Sequence, residues 1–166
     1  MLRTLFRTDD DRTLTLVRVV LGTVMFAHGA QKLLGWFGGF GAEATVGYFQ
    51  QALGVPAGLA VLVIVAEFFG GLGLITGFLS RIGAAGVAAV MLGAVAMVHA
   101  RIGFFMNWTG QQPGEGFEFH LLAVALALVI LAKGAGAFSI DRWLASRMER
   151  APVARAMNVR DARIAA

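Results

Sequence analysis

Cysteine is absent from the 166-residue chain. Within this polypeptide that excludes a disulfide, a dithiol redox pair, a thiolate-held iron–sulfur cluster and covalently attached c-type haem. Any redox chemistry therefore needs a borrowed cofactor. No G-x-x-x-x-G-K-[ST] phosphate loop occurs, and the glycine-rich runs lie inside apolar segments, where close packing explains them better than nucleotide binding. There is no H-x-x-x-H and no E-x-x-H pair, so His28, His99 and His120 lack a metal-ligand spacing and no metal site is assigned. Axial haem ligation between helices is the bolder reading of the same three histidines. Lysine and arginine are missing from two stretches, Gly35 to Pro56 and Gly103 to Gly116.

Apolar residues dominate what is present. They make up 58% of the chain, and the mean hydropathy of +0.74 lies outside ordinary soluble composition. A polytopic, all-α membrane protein is expected. The net charge of +4 could suggest nucleic acid, but the arginines sit in tails and short loops beside apolar segments, which points to anionic lipid and not to nucleic acid.

Four apolar segments are long enough to be read as spans, at about 14–34, 57–79, 82–102 and 117–138. The first is read as an uncleaved span, because it is too long for a signal-peptide core, Arg18 interrupts it, and no A-x-A pattern follows Lys32. Asp9, Asp10 and Asp11 suit the N-terminus of its helix. Between the first two spans, residues 42–53 predict a short amphipathic helix burying Val46, Phe49 and Leu53. The brief turn at Ser80-Arg81 predicts a helical hairpin, with Gly73-x-x-x-Gly77 and the series Ala85, Ala89, Gly93 as its packing seams. After the fourth span, Ser139 predicts the cap of a surface helix with Ile140, Trp143, Leu144 and Met148 as its apolar stripe and Arg142, Arg147 and Arg150 around it. The domain is taken as residues 1–145, and 146–166 as a basic tail. The tails and the Ser80-Arg81 turn carry ten lysines and arginines against none in the two intervening stretches, which predicts both termini on the cytoplasmic side of a bacterial inner membrane.

That topology gathers ionisable residues at one level. His28 and Lys32 fall in the outer half of the first span, His99 and Arg101 near the outer end of the third, and Glu118 and His120 at the outer entry of the fourth. Glu67 lies deeper, and Arg18 lies on the Lys32 face toward the cytoplasm. A charge near the bilayer centre costs about 2.5 to 3.5 kcal/mol, so these groups are expected to meet one another in an outward-opening polar pocket floored by Glu67. The candidate pocket comprises Arg18, His28, Lys32, Glu67, His99, Glu118 and Trp36, with Glu67, Lys32 and His28 as proton-handling groups. Glu67 should contact the first span. Glu118 and His120 lie roughly 200° apart around a helix and need not serve one site. Trp36, Trp108 and Trp143 all fall near membrane boundaries as an aromatic belt; Trp36 and Trp108 also border the polar level, where a quinone-like ring could stack.

The order of several short motifs resembles the DoxX family of small four-span bacterial membrane proteins. These are Arg18-x-x-x-Gly22, then His28-Gly29-x-Gln31-Lys32-Leu33-x-Gly35, then Glu67-x-x-Gly70-Gly71 with Gly77, then Gly116-x-Glu118, and finally Gly134-x-Gly136-x-x-Ser139-x-Asp141. The resemblance covers most of residues 14–145. It implies a four-helix inner-membrane bundle, linked to quinone-coupled sulfur oxidation or to membrane oxidoreductase complexes. Some related membrane oxidoreductases use cysteine pairs, which this chain lacks.

Three functions follow as expectations. The first is a membrane subunit of a redox system that holds a quinone or docks an oxidoreductase partner. The second is a structural or assembly subunit in which the charges lock helices and the basic tail recruits a partner. The third is a small-solute transporter, which four spans could support only as a homo-oligomer.

Overall fold

The computed structural model describes residues 2–148; Met1, Arg150 and the rest of the expected basic tail from 149 onward lie outside the described residues. Helices account for nearly all of the regular structure. In chain order they are α1 (Leu2–Phe6), α2 (Arg12–Leu34), α3 (Gly41–Leu53), α4 (Ala57–Thr76), α5 (Ser80–Met97) and α6 (Glu118–Lys133). A last helix, α7, covers residues 140–148, and no strand occurs among the described residues. Single 3₁₀ turns follow α2 at Trp36–Gly38 and α5 at His99–Arg101.

Three of these helices, α2, α4 and α5, are long and apolar enough to cross a membrane. Their 23, 20 and 18 residues compare with about 20 needed for a hydrocarbon core of roughly 30 Å. Large apolar side chains, among them Leu62, Phe69, Ile82 and Leu92, point outward from them and meet lipid. Helix α6 is shorter, at 16 residues. Gly134, with φ 90° and ψ −159°, ends it five residues before the expected boundary. The second segment is likewise trimmed, and the third, expected over 82–102, starts two residues earlier and stops at Met97. Gly77 takes a left-handed φ of 72° and closes α4 at Thr76, and α5 opens directly at Ser80.

Helices α2, α4, α5 and α6 enclose one core, in which Leu21 and Met25 meet Leu74, Val87, Met91, Ala127 and Ile130. The closest approach is between the antiparallel helices α2 and α4, and glycines make it. A Cβ on Gly22 would lie 2.8 Å from Ile75 N, and one on Gly71 would lie 2.8 Å from Phe26 Cα. One on Gly29 would lie 2.7 Å from the Glu67 carbonyl carbon and nearer still to the backbone of Phe68. The expected Gly73-x-x-x-Gly77 seam is therefore corrected. Gly77 serves the turn, while Gly22, Gly29 and Gly71 serve the packing. The α5 seam is corrected too, since Ala85 and Ala89 are exposed and Gly83, Ala84, Val87, Ala88 and Met91 are buried. Small size alone did not distinguish two adjacent stripes of one helix.

The α2–α4 contact gives a direct prediction. Gly29→Ala should destabilise the protein by about 1 to 3 kcal/mol, because the methyl meets unyielding backbone. A melting curve in detergent indistinguishable from that of the parent would mean the helices separate freely at this point.

At the opposite end of α2, helix termini are satisfied by side chains from elsewhere in the chain. Asp11 caps α2 by accepting the Thr13 N–H at 2.7 Å. Asp10 pairs with Arg142, and Asp9 lies 3.6 Å from Lys133. Asp141, 2% exposed, accepts the N–H groups of Leu79 and Ser80 at 2.8 and 2.9 Å and so caps α5. It thereby holds Leu79 at a left-handed φ of 51°, unusual for a branched residue. Arg81 donates to the carbonyls of Leu131 and Ala132 near the C-terminus of α6. Ser139 starts α7 as expected, accepting the Arg142 N–H at 3.2 Å.

Candidate functional site

Because Gly29 seats α2 against the backbone of residues 67 and 68, the side chain one turn further on, Lys32, reaches Glu67. Its Nζ donates to Glu67 Oε2 at 2.5 Å. Glu67 lies midway along α4 and its side chain is 4% exposed, whereas that of Lys32 is 24% exposed. The carboxylate is thus sealed in, and its cation still faces the surroundings. Helix α3 packs against both α2 and α4 at this end, and Thr45 donates to the Lys32 carbonyl at 3.3 Å. The expected contact between Glu67 and the first span is present.

One turn back from Lys32 along α2, at His28, three histidines approach from three helical segments. The rings of His99 and His120 lie 4.0 Å apart between centroids, and His28 stacks on Phe119 at 5.9 Å. His28 Nδ1 is 2.9 Å from the Val24 carbonyl, and His99 Nδ1 is 2.8 Å from the Glu115 carbonyl. A carbonyl only accepts, so in both rings Nδ1 carries the proton and Nε2 offers a lone pair in the neutral form. His120 is buried and its Nδ1 has no partner. Among the described residues no three of His, Asp and Glu converge in an arrangement that could hold a metal ion.

The remaining candidates go elsewhere. Arg18, 1% exposed, turns to the far end of α4. It donates to the carbonyls of Leu74 and Ile75, and through its other nitrogens to Ala135 at 2.8 Å and Phe138 at 2.7 Å. The last carbonyls of a helix have no intrahelical partner, so a guanidinium with five donors is well matched to them. It is separated from Lys32 by fourteen residues of α2, about 21 Å along the axis. Glu118 orders the 103–117 loop, accepting from the Met106 N–H at 2.9 Å and the Trp108 Nε1–H at 3.0 Å. Trp36 is half-exposed and meets Phe37 edge-on, and Arg101 is exposed. The structure therefore brings Lys32 to Glu67 and His99 to His120, but does not bring Arg18 or Glu118 to the Lys32–Glu67 pair.

Comparison with known proteins decides the family. The DoxX family model matches residues 13–100, which run from the second residue of α2 to beyond the end of α5 and hold both residues of the Lys32–Glu67 contact. The chain belongs to the DoxX family. Among its relatives is the "Inner membrane protein YqjF" of Escherichia coli, 28% identical over 135 residues, which are 81% of this chain and 94% of the relative. Another is the "Putative oxidoreductase CatD" of Bacillus subtilis, 27% identical over 115 residues, covering 69% of this chain and 75% of that one. No solved structure matches.

His28 is exposed and its Nε2 can accept a hydrogen bond, and Lys32, one turn away on the same helix face, keeps its ammonium partly open while its partner Glu67 is a buried carboxylate. Sequence reasoning assigned no contact to Asp141, Arg81 or Thr45, whose roles depend on the partners each finds in space. The Gly134-x-Gly136-x-x-Ser139-x-Asp141 motif was visible, and its meaning as the clamp on the α4–α5 turn was not.

Proposed function

We propose that this DoxX protein is an integral subunit of a membrane redox system, quinone-linked or coupled to an oxidoreductase partner, in which Lys32, Glu67 and His28 handle protons. The observation that carries the reading is the Lys32–Glu67 pair, with a sealed carboxylate and a cation that still faces outward. Such a pair can exchange a proton with a ligand at its open side without exposing the carboxylate to bulk solvent. The name of the Bacillus subtilis relative supports a redox association.

In this reading α6 is a fourth span. Its 16 helical residues reach about 24 Å, and the 134–138 segment completes the crossing. Its outward face, with Leu121, Leu122, Leu128 and Val129, is apolar. Residues 1–145 then form one domain of the inner membrane, the location that the Escherichia coli relative's name gives for that protein. Both termini then face the cytoplasm, since Arg7, Arg12, Arg81, Lys133, Arg142 and Arg147 gather at one end, against Lys32 and Arg101 toward the other.

A second reading is favoured by the company the pair keeps. Arg18, Arg81 and Asp141 are polar groups that lock helix ends, and Lys32–Glu67 joins α2 to α4 in the same manner. Quinone reduction in membranes carrying the native system separates the two. Glu67→Gln and Lys32→Met should each reduce it at least about tenfold while the protein remains folded by size-exclusion and circular dichroism. Full activity in both variants would refute proton handling.

A further inference from the structure

The aromatic groove at the junction of α6 and α7 is unused by the proton-handling reading. It lies beside the N-termini of α2 and α5 and the C-terminus of α4, at a membrane boundary whichever way the protein faces. Ala137, Phe138, Ser139, Arg142, Trp143 and Ser146 line an open cavity of about 420 Å³. Phe138 and Trp143 are 67% and 55% exposed, far more than aromatic side chains placed to fill a core. Both carry guanidinium groups over their faces, with Arg147 5.0 Å from the Trp143 ring and Arg12 5.9 Å from the Phe138 ring. The groove's two hydroxyls are committed, Ser139 donating to the Gly136 carbonyl and Ser146 to that of Trp143. Its polarity therefore comes from arginine.

Arginine beside exposed aromatics at a membrane boundary suits a phosphate joined to a glycerol and acyl chains. We infer that this groove is a binding site for an anionic glycerophospholipid, its phosphate held by Arg142 and Arg147 and its glycerol and upper acyl carbons against Trp143 and Phe138. Asp10 sets the strength of the site. Both of its carboxylate oxygens engage the Arg142 guanidinium, which keeps that group over the groove and competes with the lipid phosphate for it. An acyl chain fits the same surface in a zwitterionic lipid, but the choline or ethanolamine cation would then meet arginines. Charge thus selects the anionic headgroup.

The full chain in vesicles tests this, with Trp36→Phe and Trp108→Phe so that Trp143 is the one reporting indole. Vesicles contain equal mole fractions of phosphatidylglycerol and phosphatidylcholine, brominated on one or the other. Brominated phosphatidylglycerol should quench Trp143 more strongly. Arg142→Gln should lower the relative affinity for phosphatidylglycerol about fivefold. Asp10→Asn, an exposed change that frees Arg142 from competition, should raise it. Equal quenching by the two brominated lipids overturns the inference, as does an unchanged preference in Arg142→Gln. Native mass spectrometry of the parent protein provides a second reading, with retained phosphatidylglycerol expected and retention of either lipid alike counting against the site.

Discussion

Arg18→Met should lower stability by about 3 to 5 kcal/mol, with a fall in detergent melting temperature of roughly 10 °C. Methionine keeps the apolar stem and lacks the polar head, so the loss comes mainly from the guanidinium. Four carbonyls, those of Leu74, Ile75, Ala135 and Phe138, would then be left around a residue that is 1% exposed. The Leu74 and Ala135 carbonyls are buried acceptors whose partner would have gone, while those of Ile75 and Phe138 are part-buried. Arg18→Lys should recover only part of the loss, since one ammonium cannot span carbonyls that belong to two separate segments. A melting curve unchanged in Arg18→Met would mean that these carbonyls find other donors, and the clamp would have no energetic role.

The second large effect is non-additivity at the Lys32–Glu67 pair. Lys32→Met should cost about 3 kcal/mol, because it leaves the Glu67 carboxylate, 4% exposed, without its partner, and Glu67→Leu about 1 to 2 kcal/mol, because the Lys32 ammonium still reaches the surroundings. The double variant should cost less than the two single changes together by about 2 to 3 kcal/mol. Chemical or thermal unfolding of all four proteins in one detergent measures this coupling, and strict additivity would show that the 2.5 Å contact does not bind the helices energetically. Activity in the double variant then distinguishes the two functions. A protein restored in stability but inactive supports proton handling. One restored in both respects supports a helix lock alone.

Much of this architecture was legible from local pattern. The α2, α4 and α5 spans follow from apolar run lengths, and α3 and α7 from periodicity and a capping serine, since each depends on residues a few positions apart. The contact of Glu67 with the first span was also legible, because a carboxylate in the middle of an apolar helix must find a cation and few were available. Residues that share a depth but face different neighbours were harder. Arg18 and Lys32 lie on one face of α2 by spacing, yet one closes the end of α4 and the other pairs with its middle. Glu118 lies at the expected level and is taken up by its own loop.

Composition and order alone determined that this is an all-helical membrane protein of the DoxX family without cysteine chemistry, because span length, polarity and motif order are properties of the chain itself. Tertiary structure decided which polar groups meet. The small-residue stripes offered several possible seams, and only the fit of Gly22 with Gly71 and of Gly29 with the backbone of Glu67 and Phe68 set the α2–α4 register that delivers Lys32 to Glu67 and Arg18 to the carbonyls of Leu74 and Ile75. Side-chain partners separated by up to 132 residues, as Asp10 and Arg142 are, depend on that register and on helix ends located by single glycines. No pattern of neighbouring residues encodes them.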